Sequence, residues 1–233
     1  MTNRLVSPEE LDESDRAGRE QKELARLPWQ KRMLDVALSL GLVLLLSPVM
    51  VLIAVGSLLE GLVRPASRGP IFLSEPRGSE GRIFRIPKFR IIRMDVFRRI
   101  SAEQKYLHIK PMERVPENLT TVGSFLKMFY LDELPQLFSI LKGEMSFVGP
   151  RPWPLEPYYD ELEQGILRKK LIRPGLTGLV QASKGNPNVR DEWTLDYAYI
   201  GFMASSRSGW VKLGLDLKIL FWSVRTVLQA KGL

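Results

Sequence analysis

The sequence predicts a mainly helical α+β protein that lies on a membrane and carries one small β-hairpin. An uncharged apolar run covers residues 36–59, helical spacing recurs in later segments, and one pair of β-compatible segments flanks a turn. The 233 residues suffice for one globular core and a membrane element, and are few for two full-size domains. We therefore predict a polar tail (1–28), a membrane element (29–63) and a single domain on the membrane surface (64–233).

Composition restricts the chemistry that the chain can perform. Cysteine is absent and His108 is the only histidine, which excludes disulfides, thiolate nucleophiles and the usual structural zinc sites. Catalysis should therefore rest on carboxylates, lysines and arginines, with His108 at most a lone base. The net charge of +8 suits nucleic acid, anionic lipid headgroups or phosphate-bearing substrates. The apolar run is evidence for lipid as the partner. Nucleic acid is supported by the net charge alone.

The apolar run is long enough, at about 24 residues, to cross a bilayer as one helix. Ser47 and Pro48 stand at its centre, where proline removes a backbone donor and serine can bond a freed carbonyl, so we expect a bend. Basic residues flank both ends, which favours the cytoplasmic face for each end. We predict a re-entrant helix-break-helix, with a kinked spanning helix as the alternative. The flanking residues are Lys31 and Arg32 before the run, and Arg64 and Arg68 after it.

Three further elements follow the membrane segment. Residues 71–74 and 82–89 are β-compatible and are separated by the turn-forming segment 75–81, which predicts a hairpin. Apolar spacing predicts a helix over 133–142 with a glycine stop. Apolar and basic residues alternate over about 210–230, which is typical of a helix at the membrane interface or one packed on the core.

Two adjacent carboxylates, Asp132 and Glu133, are the strongest chemical signal in the sequence. A helix that begins at Glu133 would make Asp132 its N-cap, with Pro135 in the first turn, and capping alone would explain Asp132. Capping leaves Glu133 unexplained, whereas a helix N-terminus also keeps a nucleophilic carboxylate ionised. A carboxylate can attack phosphorus only when negative charge is neutralised, by Mg²⁺ or by cations such as Lys127 and Arg151. Glu133 is a suitable oxygen ligand for Mg²⁺.

Ordered motifs run from about residue 31 to residue 226. They are Lys31-Arg32 with Asp35, Ser47-Pro48, Arg77-Gly78, Lys88-Phe89-Arg90, residues 131–136 (LDELPQ), 142–146, 148–152, 174–178 with Gln181, and 216–220. Each motif alone is weak, but their order and spacing are specific. With them the chain resembles the bacterial sugar transferases called monotopic phosphoglycosyl transferases, or polyprenyl-phosphate sugar-1-phosphate transferases.

The resemblance implies a two-step reaction. Asp132 would attack the β-phosphate of a nucleoside diphosphate sugar, typically a UDP-sugar, release UMP and hold the sugar phosphate covalently. Polyprenol (undecaprenyl) phosphate would then take the sugar phosphate, with Glu133 helping to bind Mg²⁺. The product would start a lipid-linked glycan or exopolysaccharide. A catalytically degenerate membrane scaffold for glycan assembly is the alternative function.

The resemblance also implies where the substrates bind. Lys88 and Arg151 would lie near the phosphates, and the matching motifs add Arg90, Lys127 and Gln136 as expected substrate contacts. The partners implied are the two substrates and anionic lipid at the cytoplasmic face of the bacterial inner membrane, without nucleic acid and with a homodimer left open.

Some positions depart from the family pattern. Lys127 stands where arginine is usual, and residues 128–130 replace a more polar stretch. Isoleucines follow Arg90, and in 184–186 the order of the basic residue and glycine is inverted. These changes either tune the sugar pocket or have no functional effect, and Asp132 and Glu133 themselves are intact.

Overall fold

The computed structural model describes residues 8–21, 25–103, 109–184 and 191–228. Within these ranges the chain is mainly helical, with a three-stranded antiparallel sheet in the order β2-β1-β4 and a parallel pair of β3 with β5. The predicted α+β class with a small sheet is confirmed. His108 and part of the 184–186 segment lie outside the described residues.

The elements have the following bounds. The helices are α1 (Pro8–Glu20), α2 (Trp29–Val63), α3 (Met94–Glu103), α4 (Lys110–Glu113), α5 (Thr121–Met128), α6 (Gln136–Lys142), α7 (Leu155–Glu163), α8 (Leu179–Ala182), α9 (Glu192–Ala204) and α10 (Gly209–Leu228). The strands are β1 (Phe72–Ser79), β2 (Arg82–Phe89), β3 (Ser146–Val148), β4 (Trp153–Pro154) and β5 (Gly175–Thr177). Short 3₁₀ turns occupy Pro65–Ser67, Pro116–Asn118 and Leu131–Glu133.

The polar N-terminal segment contains a helix, α1, that packs directly on α9. Gly18 and Gly201 allow the two backbones to approach closely. A Cβ atom on Gly18 would lie 1.9 Å from the carbonyl oxygen of Tyr197, and one on Gly201 would lie 1.9 Å from that of Ser14. The sequence predicted a frayed or partly helical tail, and the structure has a helix there. Its packing on α9 was not predicted, because a contact made by glycine and serine leaves no apolar pattern in the sequence.

Helix α2 buries polar side chains and exposes apolar ones, the reverse of a helix in a soluble protein. Lys31, Asp35 and Ser39, spaced four residues apart on one face, are buried in the protein. Leu38 and Leu42 pack partly against the core, whereas other leucines point outward, and Leu45 and Leu52 are 71% and 70% exposed. Judged by length and composition, α2 is the one helix in the described ranges that is long and apolar enough to cross a membrane. Such a surface is favourable in lipid and unfavourable in water.

The expected interruption at Ser47 and Pro48 is absent from the secondary structure, since helix α2 continues through both residues. Pro48 has no N–H group to donate to the carbonyl of Leu44, one turn earlier. The hydroxyl of Ser47 donates to that carbonyl instead, at 2.9 Å. The predicted use of serine is confirmed, because this hydrogen bond satisfies the carbonyl that proline leaves without its backbone donor.

A buried ion pair fixes the start of α2. Lys31 Nζ lies 2.7 Å from Asp216 Oδ2 on α10 and donates to the carbonyl of Val148 at 2.8 Å. Tyr199 on α9 donates to the other carboxylate oxygen of Asp216 at 2.8 Å. Because each charged group has several partners, the burial of the pair is compensated. The network joins α2, α9, α10 and β3.

A second buried carboxylate lies one turn further along α2. Asp35 Oδ1 accepts hydrogen bonds from Ser146 Oγ and from the backbone N–H of Phe147, both at 3.0 Å. Arg32 points the other way and donates to two carbonyl groups at the end of α6. The first turns of α2 therefore hold β3 and α6 in place.

The hairpin is longer and its turn tighter than the sequence suggested. Strands β1 and β2 pair along their whole length, and the turn is formed by Glu80 and Gly81 alone. Both residues have positive φ, 50° and 73°, as a type I′ turn requires. The predicted turn over 75–81 contains the real turn but was too long, because Pro76 and Gly78 belong to β1. Gly78 lies in the strand where Tyr158 packs, and a Cβ there would be 2.2 Å from that ring.

Helix α10 packs on the core, which was one of the two expectations for the C-terminal segment. Leu215, Asp216 and Ile219 are buried against the core, which also takes in α6, β3 and α9. Trp210 and Phe221 are exposed. One face therefore packs on the core, and the other presents aromatic side chains suited to a membrane interface.

We expect Lys31→Met to destabilise the protein by about 3–5 kcal/mol, because Asp216 would keep a buried, uncompensated charge. Thermal unfolding in lipid nanodiscs measures this. Combining Lys31→Met with Asp216→Asn should recover part of the loss, since the unpaired charge disappears. Lys142→Met, at an exposed position, is the matched control. An unchanged unfolding temperature for Lys31→Met would show that the buried pair contributes no net stability.

Candidate functional site

The two adjacent carboxylates lie in a 3₁₀ turn, not at the start of an α-helix. Tyr130, in the left-handed conformation with φ of 56°, precedes the turn Leu131–Glu133. Helix α6 begins only at Gln136, and its N-cap residue is Pro135. The prediction that Asp132 caps this helix was therefore wrong. Hydrogen bonds between residues three apart continue from the turn to residue 138, which explains why the α-helix starts late.

Two cations face the carboxylates. Lys88 Nζ, at the end of β2, lies 3.9 Å from Asp132 Oδ2 and 3.4 Å from Glu133 Oε1. Arg151 Nη2, in the loop after β3, lies 3.3 Å from Glu133 Oε1. Asp132 is buried and Arg151 is exposed. The structure thus brings together four of the residues that the sequence singled out.

A shallow, open cleft adjoins this group. Gln136 lies in its wall together with Lys88, Glu133 and Arg151. The other lining residues are Arg77, Ile86, Pro152, Gly175 and Leu176. Most of the polar lining is cationic, which suits a phosphate-bearing ligand.

Two of the predicted substrate contacts lie elsewhere. Arg90 donates its hydrogen bonds to backbone carbonyl groups of residues 67, 70 and 92. Lys127 donates to the carbonyl of Glu113. Neither residue lines the cleft, because these backbone acceptors hold both side chains.

Two cationic residues at the site were missed in the sequence. Arg77 lines the cleft beside its partner Glu75, and the sequence gave only the weak Arg77-Gly78 motif as a signal. Burial and the nearby charges of Arg151 and other cations lower the pKa of Lys110. The run of basic residues containing Lys110 was visible, but a solvated face produces the same pattern.

The environment pushes the pKa values of the two carboxyl groups in opposite directions. Burial raises the pKa of Asp132 to about 6, although Lys88 acts to lower it. Burial also acts to raise the pKa of Glu133, but the charges of Lys88 and Arg151 outweigh it and lower that pKa. Burial alone would lower the pKa of Lys88, whereas the carboxylates around it, led by Glu133, raise it. Glu133 is therefore the more firmly ionised of the two acids.

The donor set fits a divalent cation that takes most of its ligands from elsewhere. Within the described ranges no group of three His, Cys, Asp or Glu residues is placed to hold a metal ion. Glu133 and Asp132 can offer carboxylate oxygens at the cleft. Mg²⁺ is commonly bound by one or two protein carboxylates together with substrate phosphates and water, which matches this arrangement.

The fold and the site define an α+β protein with one long apolar helix and an acidic pair beside a cation-lined cleft. The sequence pattern of the bacterial sugar transferases matches residues 26–230. The chain belongs to the bacterial sugar transferase family, as the motifs predicted.

Characterised relatives share this family. The chain is 32% identical over 209 residues to the undecaprenyl-phosphate glucose phosphotransferase of Komagataeibacter xylinus, covering 84% of the chain and 35% of the relative. It is 32% identical over 203 residues to the UDP-glucose:undecaprenyl-phosphate glucose-1-phosphate transferase of Klebsiella pneumoniae, covering 83% and 39%. It is 33% identical over 214 residues to the exopolysaccharide production protein ExoY of Sinorhizobium fredii, covering 87% of each. The chain thus spans well under half of the first two relatives.

We expect Lys88→Met to raise the pKa of Asp132 above its value of about 6, because the nearest cation that favours the carboxylate is removed. NMR titration of ¹³C-labelled aspartate in metal-free protein measures the shift. Lys127→Met is the control, since its ammonium group binds the Glu113 carbonyl. An unchanged titration of Asp132 in Lys88→Met would contradict the electrostatic account of the pair.

Proposed function

We propose that this protein is a phosphoglycosyl transferase that moves a sugar-1-phosphate from a UDP-sugar to polyprenol phosphate. The observation that carries the proposal is the buried Asp132 beside Glu133 and Lys88, next to a cationic cleft. The printed names of the relatives, which combine undecaprenyl phosphate with sugar-1-phosphate transfer, support it.

In the first step an oxygen of the Asp132 carboxylate attacks the β-phosphorus of the UDP-sugar. The new bond joins this oxygen to phosphorus, while the bridging oxygen of the diphosphate leaves with its electron pair as UMP. Burial makes the carboxylate less hydrated and therefore a better nucleophile, and Lys88 keeps it ionised near neutral pH.

In the second step a phosphate oxygen of the polyprenol phosphate attacks the same phosphorus. The bond to Asp132 breaks, the carboxylate is regenerated, and polyprenyl diphosphate sugar leaves. Neither step consumes or releases a proton overall when the phosphates of UMP and of polyprenol phosphate are fully ionised. Carboxylates and cations therefore suffice, and the reaction needs no histidine base in a chain with one histidine.

The remaining residues hold the phosphates. Lys88, Arg151 and Arg77 neutralise the diphosphate, and Gln136 offers hydrogen bonds from the cleft wall. Glu133 would hold Mg²⁺, which supplies Lewis-acid stabilisation of phosphate charge when bound. A second protein carboxylate is not required, because the diphosphate itself is a ligand.

We propose further that α2 is re-entrant and that the protein lies on the cytoplasmic face of the bacterial inner membrane. Contacts at both ends of α2 support this. Near the start of α2, Lys31 and Asp35 bind the core. Near its end, Ile53 packs against α5, and Glu60 accepts hydrogen bonds from the first N–H groups of α5. Exposed apolar side chains line the helix between and beyond these contacts, from Leu40 to Val63. A straight span would separate the two ends by the thickness of the bilayer.

We expect purified protein in nanodiscs to release UMP from a suitable UDP-sugar with Mg²⁺ and undecaprenyl phosphate. Asp132→Asn should reduce turnover at least about 10³-fold, because the nucleophile is lost. Intact mass spectrometry should detect a phospho-sugar adduct on the native protein and none on the variant. Asp160→Asn, an exposed change of the same kind on α7, is the control. Undiminished turnover in Asp132→Asn would exclude Asp132 as the nucleophile.

The re-entrant topology can be tested by cysteine labelling, because the chain has no native cysteine. Single cysteines at Arg26 and Arg68, exposed positions that flank α2, should react with an impermeant maleimide in inverted vesicles and resist it in intact cells. Opposite accessibility of the two positions would establish a spanning helix.

A further inference from the structure

An acidic residue near the end of the apolar helix α2 forms a connection that neither the motifs nor the proposed chemistry explains. Glu60 Oε1 accepts hydrogen bonds from the backbone N–H of Thr121 at 2.7 Å and from Ser67 Oγ at 2.9 Å. Its other oxygen accepts from the backbone N–H of Val122 at 2.9 Å. One carboxylate therefore binds two N–H groups at the start of α5 and the loop that follows α2.

Local capping does not require this carboxylate. Thr120 is already the N-cap of α5, and its hydroxyl accepts from the N–H of Gly123 at 2.8 Å. Glu60 satisfies the two preceding N–H groups from about sixty residues away in sequence. The favourable end of the helix dipole strengthens these bonds to an ionised group. The interaction thus serves as a link between two distant elements.

Arg90 completes the same link from the other side. Its Nη2 donates to the carbonyl of Ser67 at 2.6 Å and its Nε to that of Pro70 at 2.7 Å. Ser67 therefore binds Arg90 through its backbone and Glu60 through its side chain. We call Glu60, Ser67 and Arg90 the clamp. Arg90 therefore binds the loop after α2 and does not line the cleft.

The elements joined by the clamp also carry the candidate nucleophile. Ile53 on α2 and Leu126 on α5 are buried in one cluster with Phe89, the residue after Lys88. Leu131 and Leu134, which flank the acidic pair, pack against the same cluster. A shift of α5 relative to α2 would therefore move the turn that holds Asp132.

We infer that Glu60 is a positioning residue that sets the height of Asp132 above the membrane, by tying α2 to α5. The inference rests on the proposed function, in which the two steps make different demands. The UDP-sugar approaches from water, so the first step depends on the cleft formed by β2 and the loop after β3. The lipid phosphate is held at a depth set by the bilayer, so the second step depends on the height of Asp132.

The principal test separates the two steps in full-length Glu60→Gln. In this variant an amide N–H₂ group replaces one acceptor, and one of the two α5 hydrogen bonds is lost. Nanodiscs of phosphatidylethanolamine and phosphatidylglycerol without acceptor give the UMP burst of the first step, and added undecaprenyl phosphate gives the second. We expect the second step to slow by roughly tenfold or more, with the burst rate within about twofold of the native value. Glu117→Gln, the same change at an exposed turn, is the control.

A second variant removes the same bond from the other partner. Thr121→Pro deletes the N–H that donates to Glu60, at the first helical position, where proline is tolerated. It also deletes the hydroxyl that accepts from Arg64, and Thr121→Val, which loses the hydroxyl and keeps the N–H, is the control for that contact. Thr121→Pro should slow the second step in the same way. The double variant should add little to either single change, because both remove one interaction.

A readout independent of activity accompanies the kinetics. Hydrogen exchange of residues 129–138 should be faster in Glu60→Gln and unchanged in Glu117→Gln. Equal slowing of both steps would overturn the inference in favour of a general structural role. Unchanged second-step rates, or unchanged exchange over 129–138, would overturn it as well. Failure of the native protein to release UMP would overturn the proposed function, and the exchange experiment would still decide whether Glu60 holds the turn.

Discussion

The buried pair of Lys31 and Asp216 is the interaction on which the arrangement of the whole molecule depends. A helix with an apolar outer surface gains little from apolar contacts in lipid, so such contacts do not fix its rotation about its own axis. The pair, with Asp35 one turn later, does fix it, because only one face can bring the two charged groups to their partners. Once that face is set, the exposed leucines occupy the opposite face and the end of α2 meets α5.

The site shows how neighbouring positions give two carboxyl groups different ionisation properties. Asp132 is buried and weakly compensated, and Glu133 is held between Lys88 and Arg151. A carboxylate with little compensation keeps its electron density available for attack. A carboxylate with two cations is suited to hold charge in place. The sequence showed only that the acids are adjacent, and the difference between them arises from β2 and the loop after β3.

The fold class, the apolar helix and the acidic pair could be predicted because each leaves a local pattern in the chain. The role of Arg90 could not, since a motif shows that a cation is present and does not show which carbonyl groups it meets. Pro76 and Gly78 usually indicate a turn, but here both residues lie in β1 and pair with β2. The short turn at Glu80 could therefore not be separated from them in the sequence. Glu60 left no signal, because its partners are about sixty residues away. Long-range hydrogen bonds are the part of a structure that sequence periodicity does not contain.

The inverted polarity of α2 has a consequence for the order of events during synthesis. Asp35 meets Ser146 111 residues later in the chain, and Lys31 meets Asp216 185 residues later. At a synthesis rate of about 5–20 residues per second, Lys31 waits on the order of 10 s or more for its partner. During that time the leucine face already favours lipid while the polar face is uncompensated. The polar face of the nascent helix therefore stays without its partners until the second half of the chain has been made, so α2 reaches its final packing late in synthesis.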